Sequence, residues 1–537
     1  MAHDDVGALG HLKVLELGGG EASQLCARLF GDFGADVVKV EPPGGDPGRS
    51  RGPYAGGEED PERSLYFINF NHNKRSVVLD LETEEGRDGI HRLARLSDVV
   101  VEAFPAGHLE AMGLDYERLV NENPALIYVS VTAFGHSGPF SHFQGTELTQ
   151  QALSGVMYIH GDGEARPCLV PAEQLFQLSS SHAFFGALAA LQARVKTGKG
   201  QHVDVSMQDV GLWQLMMSVG DYSLTQNQRR RTGAAPTNAG VSIYRSRDGG
   251  YVQMSPYMDR HMRGIANWLQ DPDLPEESMT DPEFRRANAE GLIEERLGAF
   301  IAQHDRDAFV AEAQQRDIPS TPLLRISEFA DHEHTRSREW LADLEHPALG
   351  AYRSAGGPYR MSETPWTVRR PAPSLGQHTD EVMAVASDGS PTAVPAGVGT
   401  NGSTPAAAVK PLNGVRIVDF TQAVAGPVAT MLLGFMGAEV IKIETDGRPQ
   451  PRNVAQAGGA ELNRNKLSAN INAQTPRGYE MALRLIQRAE VVVDNFRPGV
   501  MDRLGIGYEA LSAVNPKLIY CALSGFGQSG PEKNTPA

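Results

Sequence analysis

Two stretches of this sequence repeat each other, and the repeat constrains the fold more than any single motif does. Residues 12–41 match residues 415–444 with the same spacing throughout, at an offset of 403. Residues 97–139 then match residues 489–531 at an offset of 392, so the connection after Glu444 is 11 residues shorter in the second copy. Self-similarity on this scale indicates two copies of one structural module.

The two copies differ in length. The first continues to residue 385, whereas the second ends six residues after Pro531. We therefore predict a full module over residues 1–385, a linker over 386–410 and the N-terminal part of a second module over 411–537. The linker segment is rich in Gly, Ser, Thr, Pro and Ala, a composition typical of flexible connections.

Short apolar segments alternate with helical patterns in each copy. In the first copy, Val14–Leu17, Val37–Val40, Val99–Val101 and Ala125–Val131 are the predicted strands. This alternation predicts an α/β fold, an open Rossmann-like parallel sheet with helices on both faces. Ligands of such sheets bind at the carboxyl ends of the strands.

The remainder of the first module predicts a smaller α+β domain. We place the Rossmann-like part at residues 1–205, the small domain at 206–340 and a return segment at 341–385. Within the small domain, Asp248-Gly249-Gly250 lies between two short apolar segments and predicts the turn of a β-hairpin.

The charge balance excludes several classes of partner. Lys and Arg number 49 against 66 Asp and Glu, a formal net charge of −17. A chain this acidic lacks the positive field that nucleic acids and anionic membranes require, so we predict neither as a partner. Cys26, Cys168 and Cys521 are far apart and form no metal-binding spacing, so we expect no metal and a cytoplasmic location. The acidic N-terminus also lacks the apolar core of a signal peptide.

One histidine-rich tetrad, Asp331-His332-Glu333-His334, contains residue types that bind metals. Adjacent polar residues on a charged helix are far more often solvated than metal-bound. We therefore expect this tetrad to be solvated.

Several long blocks of sequence carry a family resemblance. They are GALAALQARVKTGKGQHVDVSMQD and PSLGQHTDEVM in the first copy, and LNRNK, VVVDNFRPGVMDRLGIGYEAL and GFGQSGP in the second. Together they closely resemble the family III CoA-transferases, the group of formyl-CoA transferase and carnitine CoA-transferase. The resemblance implies interlocked modules, each with a Rossmann-like domain and a smaller domain, paired within this chain or as a homodimer.

The resemblance also implies a shuttle of CoA between carboxylic acids. An enzyme carboxylate attacks an acyl-CoA thioester and gives a mixed anhydride and CoA thiolate. The thiolate then forms an enzyme thioester, from which the acceptor acid takes the CoA. Covalent capture divides one difficult exchange into easier steps. The expected ligands are an acyl-CoA and a small carboxylic acid, with no tightly bound cofactor.

The resemblance places the nucleophilic aspartate ten residues before Gly186, where this sequence has Phe176. Glu173 lies one helical turn earlier, and a solvated or hydrogen-bonded glutamate is the more common interpretation of such a residue. In the second copy the position would be residue 568, beyond Ala537. We therefore expect the first copy to be degenerate and the chain alone to have little transferase activity.

Glu147 matches a second acidic position that the family places near its active site. It is interpreted as an assisting carboxylate that orients the reacting acid, or less readily as a nucleophile. The alternative is an ordinary carboxylate at a helix N-terminus, which the helix dipole favours. Thr146 precedes it where racemases of the family have a histidine, which counts against racemisation.

The predicted CoA contacts lie in the second copy, at positions that match the family pattern. They are Ala425 in the turn after the first strand, Lys466, Asn495 and Phe496 after the Val491–Val493 strand, and Arg503. Arginine and lysine donors, together with backbone N–H groups at helix starts, are the groups that bind phosphates.

The first copy departs from this pattern. It has Glu21-Ala22-Ser23 at the turn, Ala103-Phe104 after the corresponding strand and Ala111 in place of the arginine. The asparagine and the arginine are absent, and Glu21 would repel a phosphate. The alternatives to a CoA-transferase are a non-catalytic partner or scaffold subunit, and a family relative with CoA-linked lyase or racemase chemistry.

Overall fold

The computed structural model describes residues 7–231, 238–388, 410–445 and 461–536. Most of the predicted linker lies outside these residues, and its first three residues end the helix Thr379–Asp388. The chain forms two compact units. The first contains Met1–Met157, Leu169–Leu215 and Glu339–Leu412, and the second contains Tyr158–Cys168, Met216–Arg338 and Asn413–Ala537.

The strands are numbered in chain order. They are β1 (Lys13–Gly18), β2 (Asp36–Glu41), β3 (Lys74–Val78), β4 (Val99–Glu102), β5 (Ile127–Thr132), β6 (Gln201–Ser206), β7 (Ile243–Arg245), β8 (Tyr251–Met254), β9 (Ser320–Pro322), β10 (Leu341–His346), β11 (Gly350–Ala355), β12 (Arg416–Asp419), β13 (Glu439–Glu444), β14 (Lys466–Asn470), β15 (Val491–Asp494) and β16 (Ile519–Ala522).

The first unit is built on a parallel sheet with the strand order β3-β2-β1-β4-β5-β6. This is the doubly wound order of nucleotide-binding folds. Strand β4, with the sequence VVVE, is buried along its whole length, as expected where helices cover both faces of a sheet. The predicted α/β fold with a Rossmann-like parallel sheet is therefore confirmed. Strands β10 and β11 add an antiparallel hairpin to this unit.

Helices pack on both faces of the first sheet. On one face, Phe30 and Phe184 join two helices, with ring centroids 4.8 Å apart in an edge-on contact. On the other face, Ile90 and Val382 belong to a second apolar core. The helices before β7 are Glu21–Asp32, Leu65–Asn71, Glu84–Arg95, His108–Met112, Tyr116–Glu122, Glu147–Leu153, Val156–Ile159, Gln174–Thr197, Met207–Gln214 and Met216–Thr225, with short 3-10 turns at Pro47–Ser50 and Pro61–Arg63.

The second unit contains two sheets. The smaller is antiparallel with the order β7-β8-β9, and the predicted hairpin turn is confirmed between β7 and β8, where Gly249 has φ 82°. The larger is parallel with the order β14-β13-β12-β15-β16. That order corresponds to β3-β2-β1-β4-β5 of the first sheet.

The helices that follow β8 are Asp259–Leu269, Glu276–Thr280, Pro282–Asn288, the π-helical Ala289–Ile293, Glu294–Ile301, Arg306–Gln315, Ile326–Asp331, Glu333–Ser337, Thr379–Asp388, Ala425–Phe435, Pro476–Ile486, Val500–Arg503 and Tyr508–Val514. Across the described ranges, no helix has the length and apolar character needed to cross a membrane. In the same part of the chain, no three His, Cys, Asp or Glu side chains are grouped as metal ligands.

Candidate functional site

The carboxyl ends of β12 and β15 meet where the strand order of the second sheet reverses. Strand β12 pairs with β15 on one side, while the chain leaving β12 continues to β13 on the other. In open parallel sheets this switch point forms the ligand-binding crevice. The structure places four of the predicted contacts just after these two strand ends: Ala425, Asn495, Phe496 and Arg503.

Asn495 locks the two strand ends together. Its Oδ1 accepts a hydrogen bond of 2.7 Å from the backbone amide of Gln422, and its Nδ2 donates one of 2.7 Å to the Gln422 carbonyl. Both polar backbone groups of one loop residue are therefore bound by a single side chain. The loop leads directly into the helix that begins at Ala425, whose first N–H groups lie at the crevice.

Phe496 and Arg503 belong to the segment that follows β15. The backbone amide of Phe496 donates to Oδ1 of Asp494 at 2.9 Å, and its ring packs against the core of the second sheet. Arg503 ends the short helix Val500–Arg503 and is exposed. Its guanidinium forms no ion pair with any described residue.

Lys466 does not lie at the surface of the crevice, contrary to what a direct contact with CoA requires. Its side chain is 1% exposed, and its Nζ lies 3.1 Å from Oδ2 of Asp419 and 2.9 Å from the Pro427 carbonyl. Lys442 shares the same carboxylate, with Nζ 3.5 Å from Oδ1. Burial lowers the pKa of both lysines, and Asp419 offsets this only in part. Burial alone would raise the pKa of Asp419, but the two lysines bring it below its ordinary value.

In the first module the corresponding loops touch each other directly. The backbone of Gly19 lies so close to the chain after β4 that a Cβ at this position would be 2.4 Å from the Phe104 amide nitrogen. Gly19 corresponds to Gln422, and Ala103 to Asn495, at the offsets of the repeat. The first module therefore joins its strand ends by close packing of backbone, where the second uses the Asn495 amide.

Glu21 begins its helix beside these loops, and its carboxylate pairs with Arg51. The same guanidinium pairs with Glu173 and lies over the Tyr66 ring, 3.9 Å from its centroid. The Tyr66 hydroxyl donates a hydrogen bond of 3.0 Å to Glu173, and burial with both carboxylates nearby raises the pKa of this phenol. Glu173 is thus a hydrogen-bonded glutamate, as expected. Sequence reasoning missed Arg51 and Tyr66, because neither carries a local signal.

Glu147 binds the start of the helix Gln174–Thr197. Its Oε1 accepts from the Leu175 amide at 2.9 Å, and its Oε2 accepts from the Phe176 amide at 3.0 Å. The Gln151 side chain donates a further hydrogen bond of 2.6 Å to Oε1. The buried carboxylate therefore satisfies two otherwise unpaired N–H groups of a helix start. An assisting role for Glu147 in catalysis stays a prediction.

The predicted solvation of the Asp331–His334 tetrad is wrong for His334. This side chain is 9% exposed, and its Nε2 lies 2.9 Å from the Phe526 carbonyl. Its Nδ1 accepts from the Glu532 amide at 3.3 Å, and Arg338 donates to the Ser529 hydroxyl at 3.1 Å. Residues of the small domain therefore hold the loop that follows β16.

Comparison with known proteins agrees with this architecture. The CoA-transferase family III model matches residues 9–379 and 412–537. The chain belongs to CoA-transferase family III. A probable CoA-transferase of Mycobacterium tuberculosis, Rv1866, is 30% identical over 519 residues, which are 95% of this chain and 63% of that protein. This family III chain thus spans less than two thirds of that relative's length.

Two other relatives match about 70% of this chain. The succinyl-CoA–D-citramalate CoA-transferase of Chloroflexus aurantiacus is 33% identical over 384 residues, covering 70% of this chain and 93% of that protein. The crystal structure of a CAIB/BAIF family protein from Brucella suis aligns with a TM-score of 0.62 at 29% identity, covering 71% of this chain and all of that one. Nearly the whole length of each of these two proteins is therefore matched by about 70% of this family III chain.

Proposed function

We propose that this chain is a tandem member of the family whose second module binds the CoA moiety of an acyl-CoA. The observation that carries the proposal is the contrast between the two crevices. In the second module, Asn495 fixes the loop before Ala425, and Arg503 in the segment after β15 is exposed. In the first, the strand ends are packed together and Glu21 is paired with Arg51.

The proposed reaction moves CoA from an acyl-CoA to a small carboxylic acid through enzyme-bound anhydride and thioester intermediates. Relatives whose names specify succinyl-CoA with D-citramalate or mesaconate support this substrate class. The reaction releases one carboxylic acid from its CoA thioester and forms the thioester of another, and it needs no tightly bound cofactor.

We propose a supporting role for the first module. Phe176 occupies the position that the resemblance gives to the nucleophile, and Glu147 is engaged by the backbone of the same helix. Contacts of His334 and Arg338 with the loop after β16 support pairing of the two copies within one chain. A homodimer is the alternative arrangement. The second module then binds CoA, and the first module acts as the scaffold.

A label-exchange experiment tests both parts. The purified chain is incubated with succinyl-CoA and isotopically labelled succinate, and labelled succinyl-CoA is measured by mass spectrometry, alongside equilibrium titration with CoA. We expect CoA to bind and little label to exchange, because the first module has no carboxylate at residue 176. Failure to bind CoA would overturn the proposed function, and exchange well above the buffer rate would overturn the supporting role of the first module.

A further inference from the structure

The two sheets bury corresponding clusters of one acid and two lysines beneath their crevices, and in the first sheet Lys39 also pairs with Asp46 at 2.8 Å. In the second module Asp419 is fully buried with Lys442 and Lys466 around it. At the offsets of the repeat, these residues correspond to Glu16, Lys39 and Lys74. In that cluster the lysine Nζ atoms lie 2.8 and 2.7 Å from the two oxygens of Glu16, and all three side chains are completely buried.

A third contact is also repeated. Lys466 donates to the carbonyl of Pro427 at 2.9 Å, and Lys74 donates to the carbonyl of Gln24 at 2.7 Å. Pro427 and Gln24 occupy the same register position, in the first turn of the helix that follows the central strand. Burying a charge is costly unless it is paired and hydrogen-bonded. Each cluster meets this requirement by linking three neighbouring strands to one helix start.

In the second module the cluster also holds the loop itself. Asp419 accepts from the Thr421 amide at 2.8 Å and from the Thr430 hydroxyl at 2.7 Å, while Lys442 donates to the Thr421 carbonyl. Thr421 is therefore bound at both polar backbone groups from below. The next residue, Gln422, is bound at both by Asn495.

The clamped loop then passes through a strained residue. Ala423 has φ 61°, in the left-handed region that residues with a Cβ seldom adopt. Such strain persists only where the surroundings over-determine the backbone, and it concentrates at ligand-binding loops. Thr421 and Gln422, each hydrogen-bonded at its backbone N–H and C=O, supply that constraint just before the helix start.

We propose that Asp419, Lys442 and Lys466 are positioning residues for CoA, which shape the loop 420–425 and the helix start without touching the ligand. The inference rests on the proposed function of the second module. Glu16, Lys39 and Lys74 perform the same structural task under a crevice that holds no CoA. The repeat thus provides a matched internal control for each substitution.

The experiment uses the full chain and compares Lys466→Met with Lys74→Met by calorimetric titration with CoA. We expect Lys466→Met to weaken CoA binding at least tenfold and Lys74→Met to change it less than twofold. Hydrogen exchange of the peptide spanning 420–427 should become faster in Lys466→Met only. Equal effects of the two substitutions on CoA affinity, or an unchanged affinity in a folded Lys466→Met chain, would overturn the inference.

A milder variant covers the case in which Lys466→Met does not fold. Thr430→Ala removes one hydrogen bond to Asp419 and introduces the residue that the first module has at this register, Ala27. We expect Thr430→Ala to fold and to bind CoA several-fold more weakly, because the Asp419 carboxylate loses one of the hydrogen bonds that hold it. Unchanged affinity in this variant would count against the positioning role. If the unmodified chain fails to bind CoA, the proposed function fails first. If Arg503→Met weakens binding but Lys466→Met does not, only the present inference fails.

Discussion

The carboxylate of Glu147 accepts a 3.0 Å hydrogen bond from the backbone amide of Phe176. The residue at the expected nucleophile position is thus tied, through its main chain, to the second acidic residue that the family places near its active site. Phe176 itself packs at the edge of the first core. Glu147 therefore holds the backbone of the helix start at residue 176, whatever side chain stands there.

Replacing Glu147 tests whether it acts on the fold or on substrate. Glu147→Gln keeps the shape but leaves one N–H group at the helix start without a good acceptor, so we expect the free energy of unfolding to fall by about 1–3 kcal/mol. Urea unfolding measures this, with Glu164→Gln on an exposed loop as the matched control. In a separate experiment, the unmodified chain is incubated with acyl-CoA and borohydride, and we expect mass spectrometry to find no adduct at Glu147. An adduct there would show that this carboxylate reacts.

Replacing Arg51 tests whether its ion pairs with Glu21 and Glu173 matter for stability and for CoA binding. Arg51→Met leaves Glu21 and Glu173 without their shared partner, yet the guanidinium is 41% exposed. Partly exposed ion pairs contribute little, so we expect a loss of about 1 kcal/mol or less in urea unfolding. CoA affinity should stay within twofold of the unmodified chain. A large decrease in affinity would place CoA in the first module instead.

Replacing His334 tests whether its hydrogen bonds stabilise the loop after β16. His334→Ala removes two hydrogen bonds to backbone groups of this loop and leaves the Phe526 carbonyl and the Glu532 amide without a partner. We expect a loss of about 1–2 kcal/mol and faster hydrogen exchange in the peptide spanning 524–533. The control is His332→Ala, whose side chain is 29% exposed and lies 3.5 Å from Glu532. Similar exchange in the two variants would contradict the assigned role.

The second unit should lose stability in mild acid through His261. Burial lowers the pKa of this side chain to about 4, with Arg260 and Arg497 acting in the same direction and Asp317 against them. An unfolded histidine has a pKa near 6.5, so the unfolded chain binds the proton first as the pH falls. Neutral His261 therefore makes its full contribution to the free energy of unfolding above about pH 6.5. This contribution falls by roughly 1–3 kcal/mol as the pH decreases towards 4. Thermal unfolding of His261→Gln should show a flatter pH dependence over this range, and an identical dependence would contradict the assignment.

The sequence predicted the sheets well because local patterns encode them. Valine-rich runs such as Val99–Val101 mark buried parallel strands, and the repeat offsets carried each assignment from one copy to the other. Asn495 was placed correctly at the end of its strand for the same reason. The offsets could not reveal the direction in which a side chain points, so Lys466, which is buried against Asp419, was predicted as a CoA contact. Its burial had one visible signal, since an acid and two lysines recur at corresponding strand positions of both copies.

Contacts between distant segments were beyond sequence reasoning. Arg51 and Glu173 are 122 positions apart, and His334 and Phe526 are 192 apart. No periodicity links such pairs, because their proximity depends on how complete domains fold. The Asp331–His334 tetrad was therefore predicted to be solvated, although His334 is buried against the loop that follows β16.

We propose that CoA binds this chain once, at the second module. Calorimetric titration of CoA into the full chain tests this binding, with Arg503→Met and Arg51→Met measured in parallel. We expect one CoA per chain, at least tenfold weaker binding in Arg503→Met and little change in Arg51→Met. Two CoA molecules per chain, or full affinity in Arg503→Met, would contradict it.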